Sequence, residues 1–429
     1  MEKLEKWKSS DRRKPLLLDG ARQVGKTWIL KEFGKTFDDG YIYVNFDKDP
    51  DMKSLFEQTR DIDRLIELIS LSVGKPVTLK TLIILDEIQE CEDAIASLKY
   101  FCEEHPEIYV AASGSLLGIY LSKGFPVGKV NHIHMYPMTF SEFLIADDAK
   151  PLRDYIDSID KIENIPDVFF SRLTEKLKTY FATGGMPEAV KIWTEEHSTE
   201  LLDDVLEDII FAYERDMGKH PEKSDVPKIH YIWDSLPSQL AKDNKKFMYS
   251  AVRGGARARE YENALNWLSD AEIVRKVYLI EKPYLPIDSY KDLSSFKVYF
   301  NDIGIMRRRT RIKAASFMDE LRIFEEYKGA FTENYVFQSM IPQIDGECGY
   351  WKDGTYEVDC IFQLDTGVYP VEVKSGNSVK RSVSIKRYGE KYNPECMIRV
   401  SMMNLSHDGN MINVPLFLAD RISDLVKKI

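Results

Sequence analysis

Three observations predict an α/β chain built on a phosphate-loop (P-loop NTPase) domain. A glycine-framed segment, Gly20-Ala21-Arg22-Gln23-Val24-Gly25-Lys26-Thr27, follows the apolar run Leu16-Leu17-Leu18 and opens into Trp28–Phe33, which has helical periodicity. A second apolar run, Thr81-Leu82-Ile83-Ile84-Leu85, ends on the adjacent acids Asp86 and Glu87. Far downstream, Glu357–Phe362 and Tyr369–Lys374 read as two strands joined by the turn Asp365-Thr366-Gly367.

Composition bounds what such a chain can be. Its 429 residues allow two to four domains at roughly 100–200 residues each. No stretch approaches the roughly 18 uninterrupted apolar residues of a membrane span, and Met1–Trp7 is too charged for a secretion signal. A cytoplasmic protein without a membrane partner is therefore expected. The five cysteines are scattered with no Cys-x-x-Cys pair, which reads as reduced thiols and disfavours zinc. A net charge of −11 argues against a chain coated with nucleic acid, yet it leaves a local basic face open.

The loop at 20–27 has a physical reason for its composition. Glycines let the backbone curl so that successive N–H groups converge on an anion, and the following helix turns its positive end to the same point. Gly20, Ala21, Arg22, Gln23, Val24, Gly25, Lys26 and Thr27 are thus expected to cradle ATP. Lys26 would reach the β/γ-phosphates, and the Thr27 hydroxyl would complete the coordination of Mg²⁺.

Tyr41–Phe46 follows as a strand between Asp38-Asp39-Gly40 and Asp49-Pro50, and residues 53–72 have helical spacing stopped by Gly74-Lys75-Pro76. The run at 81–85 has the pattern of a buried parallel strand that delivers carboxylates to its C-terminal edge. Asp86 is expected to hold Mg²⁺ through its water shell, and Glu87 to polarise the water that attacks the γ-phosphate. A helix over 91–104 leads to the strand Ile108–Ser115, whose hydroxyls Ser113 or Ser115 could sense the γ-phosphate, an ordinary turn being the competing reading. His132 and His134 share one face of a strand, but no third ligand is suggested nearby, so a half-exposed strand face is expected rather than a metal site.

These motifs, together with Tyr136-Pro137-Met138-Thr139-Phe140-Ser141-Glu142-Phe143, resemble bacterial and archaeal ATPases of the AAA+ class. Members of that class pair an ATP-binding domain with a winged-helix segment and a nuclease-like C-terminal domain. The resemblance implies four parts: an AAA+-like ATP-binding domain at 1–148, a helical lid at 149–224, a winged helix at 225–282, and a restriction-endonuclease-like PD-(D/E)xK α/β domain at 283–429. The break Gly184-Gly185-Met186-Pro187 is also like the family. One departure touches mechanism. AAA+ sites commonly borrow an arginine from a neighbouring subunit, yet no arginine occurs between Arg64 and Arg153. Lys123 and Lys129 are the basic residues in the corresponding place, and an ammonium lacks the planar fork of arginine. A homo-oligomer stays open.

Within 225–282, a recognition helix is expected over roughly 256–268, with Arg253, Arg257 and Arg259 near the end that enters the major groove of DNA. Packing against protein is the competing role for such a module. The basic runs 307–313 and 380–391, the latter carrying Lys380, Arg381, Lys386, Arg387 and Lys391, are further candidates for phosphate contact.

In the last part, strand alternation puts Glu372 and Lys374 on one face. Glu-x-Lys alone is a very weak signal. With Asp359 on the neighbouring strand and Glu333 on the helix Gly329–Phe337, the set looks like a PD-(D/E)xK core. That likeness implies Mg²⁺ held by Glu333, Asp359 and Glu372, with Lys374 orienting or deprotonating the nucleophile. The expected function is an ATP-hydrolysing protein that couples nucleotide state to DNA binding or Mg²⁺-dependent cleavage. The alternative is a slow ATP-dependent switch with a non-cleaving nuclease fold.

Overall fold

The computed structural model describes residues 1–115, 128–219, 221–242, 245–319, 328–344, 346–375 and 382–428. Lys123, Lys380 and Arg381, which entered the sequence reading, lie outside the described residues. The chain forms two units, one of Met1–Tyr136 with Asp270–Glu272, the other of Pro137–Ser269 with Ile273–Ile429.

The first unit is organised on the strands β1 (Leu16–Gly20), β2 (Tyr41–Asn45), β3 (Leu82–Asp86), β4 (Tyr109–Ser113) and β5 (Asn131–Met135). They form one sheet in the order β2-β3-β4-β1-β5, and every neighbouring pair is parallel. A parallel sheet needs helices on both faces, which is why its central strands are apolar on both sides. On one face Leu17, Ile83, Leu85 and Val110 pack with residues of α3 (Pro50–Gln58), α4 (Ile62–Val73) and α5 (Glu92–Glu104). On the other, Leu16, Leu18, Ile84 and Ala111 pack with Trp7 of α1 (Glu2–Lys8) and with Leu30 and Phe33 of α2 (Lys26–Gly34). Each such Leu, Ile or Phe contributes about 1.5–3 kcal/mol by leaving water. The register sets Asp86 beside Ser113, so the acid-bearing and hydroxyl-bearing strand ends meet at one edge.

The second unit opens with helices. These are α6 (Phe140–Ala146), α7 (Lys150–Ser158), α8 (Asp167–Thr183), α9 (Pro187–Glu196), α10 (Thr199–Lys219), α11 (Val226–Leu240), α12 (Tyr249–Val252) and α13 (Ala258–Asp270). Thr139 and Glu142 start α6 with a reciprocal capping box, which satisfies two backbone N–H groups that the helix leaves orphaned. An eight-stranded sheet follows in the order β12-β13-β11-β10-β9-β8-β6-β7. Its strands are β6 (Val274–Ile280), β7 (Lys291–Phe300), β8 (Gly349–Asp353), β9 (Tyr356–Leu364), β10 (Gly367–Val373), β11 (Met397–Ser401), β12 (Ser406–Asp408) and β13 (Met411–Pro415). β6 pairs antiparallel with β7 and parallel with β8. The sheet therefore runs without interruption across 282/283, where the sequence suggested a boundary. The remaining helices are α14 (Ile303–Arg309), α15 (Ala314–Asp319), α16 (Lys328–Met340), α17 (Val383–Tyr392) and α18 (Ile422–Val426).

The Gly184-Gly185 break has a steric origin. Gly184 ends α8 with φ +74, and a Cβ there would lie 2.3 Å from Asp302 Oδ1; a Cβ on Gly185 would lie 2.2 Å from the Met138 carbonyl oxygen. Asp302 caps α14 by accepting from Ile305 N at 3.0 Å and also accepts from Gly185 N at 2.6 Å. The glycines let the end of α8 approach a buried cap that any side chain would displace.

The basic run 307–313 is not the free cationic face that its composition suggested. Arg307 is fully buried, pairs with Asp203 at 2.7 Å and donates from Nε to the Ala182 carbonyl at 2.8 Å. Arg308 pairs with Glu207 at 2.8 Å. Arg309 pairs with Glu214 at 3.2 Å and Asp234 at 2.9 Å, and its guanidinium lies over the Trp233 ring. The cause is periodicity. Asp203, Glu207 and Glu214 fall on one stripe of α10, a ladder of acids opposite α14 that sequence reading of the basic run alone did not reveal. Arg311 and Lys313 are exposed.

Candidate active site

The backbone at 20–27 takes the turns its composition requires. Gly20, Gln23 and Gly25 have φ of 137, 66 and 93, in the region where glycine carries no Cβ penalty. At Gly20 a Cβ would also stand 2.2 Å from the Met135 carbonyl oxygen. Lys26 begins α2 and is buried, with its ammonium donating to the carbonyls of Gly20 at 2.7 Å and Ala21 at 2.8 Å. Burial pulls that ammonium down to about 8 despite the opposing attraction of Glu272, Glu87, Asp86 and Asp19.

Asp86 is the hub of the site. Its Oδ2 accepts from the Thr27 hydroxyl at 2.8 Å and from the Tyr43 hydroxyl at 2.7 Å, and its Oδ1 accepts from Ser113 at 2.6 Å. Thr27 and Asp86, the two residues expected to share Mg²⁺, are thus brought into contact. Glu87 leaves β3 with φ 50, and its Oε2 accepts from Gln89 Nε2 at 2.6 Å and from the Ser115 hydroxyl at 3.2 Å. The two serines therefore hold the two acids, Ser113 on Asp86 and Ser115 on Glu87. A hydroxyl, a buried carboxylate and a lysine at the mouth of a helix N-terminus form a donor set suited to a nucleotide phosphate with its Mg²⁺.

Tyr43 and Gln89 did not emerge from the sequence. The signal for Tyr43 is the register of β2 against β3, which sets Tyr43 beside Ile84 and Asn45 beside Asp86. Lys129, one of the two candidate trans lysines, pairs with Glu103 at 2.9 Å.

Behind the loop lies a charged cluster that the sequence placed only as a strand face. His134 Nδ1 lies 2.9 Å from Asp19 Oδ1 and its Nε2 lies 2.9 Å from Glu272 Oε2, while His132 Nδ1 lies 3.6 Å from Asp19 Oδ2. Burial opposes the His134 charge, but Asp19 and Glu272 carry its pKa up to about 9. Burial likewise opposes the Asp19 carboxylate, and His132 and His134 hold it well below the usual range.

The second constellation sits on β7, β9, β10 and α16. Asn334 accepts from Phe300 N at 2.8 Å and donates back to Phe300 O at 3.0 Å, which pins α16 to β7 and fixes the neighbouring Glu333. Val371 is registered opposite Cys360, so the next pair sets Glu372 across from Asp359 on one face. Asp359 Oδ2 accepts from Val373 N at 2.8 Å. Lys374 Nζ lies 3.1 Å from Glu372 Oε1, whereas Glu372 Oε2 is buried without a hydrogen-bond partner.

Glu333 is held differently. It accepts from Lys245 and, at 3.0 Å, from the Tyr299 hydroxyl, and it lies 4.0 Å from the buried Lys297. Lys297 pairs with Glu357 at 2.6 Å. Burial works against the Lys297 charge, but Glu333, Glu357 and Asp359 raise its pKa above the ordinary value. Burial and the nearby Glu333 push Asp359 up to about 7. Sequence reasoning missed Lys297, Lys245, Tyr299 and Glu357. Among the described residues no group of three or more His, Cys, Asp or Glu side chains is arranged to hold a metal ion.

Arg253 and Arg257 are exposed before α13, and Arg259 is exposed in its first turn. Lys391 and Arg387 of α17 lie 3.1 and 3.9 Å from Asp353. No helix among the described residues is long and apolar enough to cross a membrane.

Three family models match the chain: an AAA domain over residues 12–144, a Domain of unknown function (DUF8612) over 174–316, and a Domain of unknown function (DUF4143) over 328–417. No curated protein matches it. Among solved structures, the Walker-type ATPase PABY2304 of Pyrococcus abyssi is similar at 13% identity, with 72% of this chain and 95% of that chain covered and a TM-score of 0.46. The RuvB Holliday junction branch migration motor of Thermotoga maritima is similar at 12% identity, with 64% and 85% covered and a TM-score of 0.28. The match over 12–144, taken with the loop at 20–27 and the acids at the end of β3, makes this region an AAA-class P-loop domain and the protein an ATPase.

Proposed function

We propose that ATP held at Gly20–Thr27 with Mg²⁺ and turned over with Asp86 and Glu87 controls how the second unit engages DNA, by binding it or by cutting it with Mg²⁺. Lys26 supplies charge at the phosphates, Thr27 and Asp86 would hold the Mg²⁺, and Glu87, steadied by Gln89 and Ser115, orients the attacking water. The observation that carries the DNA half is the buried, unpartnered Oε2 of Glu372, one residue beyond the Val371–Cys360 pair, with Lys374 at 3.1 Å from Oε1 of the same carboxylate. A buried carboxylate oxygen without a partner is costly unless a cation completes it. A bound divalent ion there would supply Lewis acidity at a phosphodiester. Lys374 would orient the nucleophile, and Glu333 would flank it.

A winged-helix reading of the preceding segment is supported by the succession α11, α12, α13 followed by the β6–β7 pair, with a lone bridge from Lys246 to Lys297. On that reading the exposed Arg253, Arg257 and Arg259 would meet base edges or phosphates.

The deciding experiment is a metal-dependent cleavage assay on single-stranded, duplex and branched DNA, with and without ATP. Cleavage lost in Asp359→Ala and Lys374→Ala supports the reading, and unchanged cleavage in either variant sinks it. A second reading, a slow switch whose nuclease-like fold holds DNA or protein without cutting, is favoured by the lysines that already neutralise Glu333. Salt-steep DNA binding without cleavage would select its DNA-holding form.

A further inference from the structure

We propose that the second unit carries a separate binding site, an aromatic pocket at the turn of the β9–β10 hairpin that takes a cationic side chain, lysine or arginine, of a partner protein. The site goes beyond the nucleotide and DNA readings above and does not depend on them. The pocket has a volume of about 290 Å³ and lies between the segment at 283–285, the hairpin turn and the C-terminal end of α17. That is the lower end of the roughly 300–1,000 Å³ range of small-ligand sites, room for one side chain with its flanking backbone. Asp359 and Glu372 lie toward the other end of the same two strands.

Four tyrosines line the pocket. Tyr388 and Tyr392 are one helical turn apart on α17, so their rings share a face, with centroids 5.0 Å apart. Tyr284 meets Tyr392 nearly edge-on, at 5.8 Å and 81°, and keeps 54% of its surface exposed. Tyr369 comes from β10. Its ring lies against Gly367, where a Cβ would come within 2.5 Å of it, and its hydroxyl donates to Glu395 Oε2 at 3.2 Å. Glycine at the hairpin turn is thus what lets an aromatic wall and a carboxylate meet.

The charge of the lining selects the occupant. Glu395 is exposed and is the one charged residue among the described residues around the pocket. Tyrosine faces attract cations within about 6 Å of the ring centroid, and a carboxylate beside them adds a charged hydrogen-bond acceptor. A phosphate-bearing chain would meet Glu395 with the wrong sign, and an apolar side chain would cover that carboxylate without compensating it. The neighbouring surface already uses this chemistry: Lys391 Nζ lies 5.5 Å from the Tyr392 ring centroid and 5.7 Å from that of Trp351, with Asp353 at 3.1 Å as its carboxylate. The Lys391 charge is matched there, which leaves Glu395 to a group from outside.

The test is saturation-transfer NMR on the full chain with three acetylated pentapeptide amides, Gly-Gly-X-Gly-Gly with X arginine, lysine or norleucine, and with a short oligothymidylate. Transfer to the arginine or lysine methylene protons is expected, and the norleucine peptide is expected to bind about tenfold more weakly or not at all. Glu395→Gln and Tyr284→Ala each change an exposed side chain and should each weaken the cationic peptides about two- to fivefold, the scale of one exposed ion-pair or cation–π contact. Circular dichroism checks both folds, and Glu395→Gln decides alone if Tyr284→Ala does not fold. Equal binding of the norleucine peptide would make the pocket an apolar groove, and oligothymidylate binding that is lost in Tyr284→Ala would make it a nucleobase site. Cationic peptides that bind equally well to both variants sit elsewhere. Each of those three outcomes overturns the proposal, as does a parent chain that binds neither cationic peptide.

Discussion

Thr27 and Asp86 are joined by a 2.8 Å hydrogen bond from the threonine hydroxyl to the carboxylate, so the last residue of the phosphate loop and the last residue of β3 are held at one point. Tyr43 and Ser113 bond the same carboxylate. Three donors from β2, β4 and α2 fix its orientation.

From this arrangement Glu87→Gln is expected to lower ATP turnover by about 10²-fold or more while ATP still binds, since a positioned general base contributes about 10²–10⁴-fold. Tyr43→Phe removes one of the three bonds on Asp86 and is expected to lower turnover about tenfold, equivalent to about 1.4 kcal/mol. Steady-state phosphate release and equilibrium binding of a fluorescent ATP analogue separate the two steps. Full turnover in Glu87→Gln would remove it from the mechanism.

The basic helix α14 gives a stability prediction. Arg307→Ala strands Asp203 beside a buried void and is expected to cost about 3–5 kcal/mol, the range for breaking one side of a buried pair. Arg308→Ala, whose partner Glu207 is 57% exposed, is expected to cost less than about 1 kcal/mol. Urea unfolding of the two variants side by side checks the ranking, and equal losses would contradict it.

Much of the first unit was legible because its signals are local. A glycine loop between a strand and a helix, and an apolar run ending in two acids, state their own positions, and the register then brings Asp86 and Thr27 together. What could not be read depends on partners distant in sequence. Nothing near Arg307 announces Asp203, and nothing near Lys297 announces Glu357 and Glu333. Composition marks Arg307 as a surface residue, and its burial follows from an acid stripe more than eighty residues upstream by chain position. Glu372 and Lys374 were legible as a face of a strand. That Glu333 would arrive already neutralised was not, because the neutralising lysines come from β7 and from the segment before α12.

The glycine break between α8 and α9 should be intolerant of even one carbon. Gly185→Ala places a Cβ 2.2 Å from the Met138 carbonyl oxygen, and Gly184→Ala combines φ +74 with a clash on Asp302. Gly184→Ala is expected to cost about 1–3 kcal/mol or more, the scale of backbone strain at a position that only glycine adopts freely, and Gly185→Ala about 1–3 kcal/mol, the scale of forcing an extra carbon into a packed site. Thermal unfolding followed by circular dichroism measures it, with Gly218→Ala, where a Cβ meets nothing within 4 Å, as the control expected to be neutral or stabilising.

The Asp19–His134–Glu272 cluster makes the stability of the first unit depend on pH in a stated direction. His134 has a folded pKa of about 9 against an ordinary value of 6.5, so the folded state binds the proton more tightly than the unfolded chain. The contribution is fully present below pH 6.5, declines as pH rises, and is gone above about 9. At 1.36 kcal/mol per unit its ceiling is about 3 kcal/mol. Unfolding free energies measured at pH 6 and pH 9.5 should therefore fall toward the alkaline side, and the fall should be smaller in His134→Gln. Other groups also titrate in that window, Lys26 among them, so the difference between the parent and His134→Gln is the quantity that decides. If the two proteins lose the same free energy between pH 6 and 9.5, His134 is not held charged by Asp19 and Glu272, and the cluster behind the phosphate loop is not an ion-paired one.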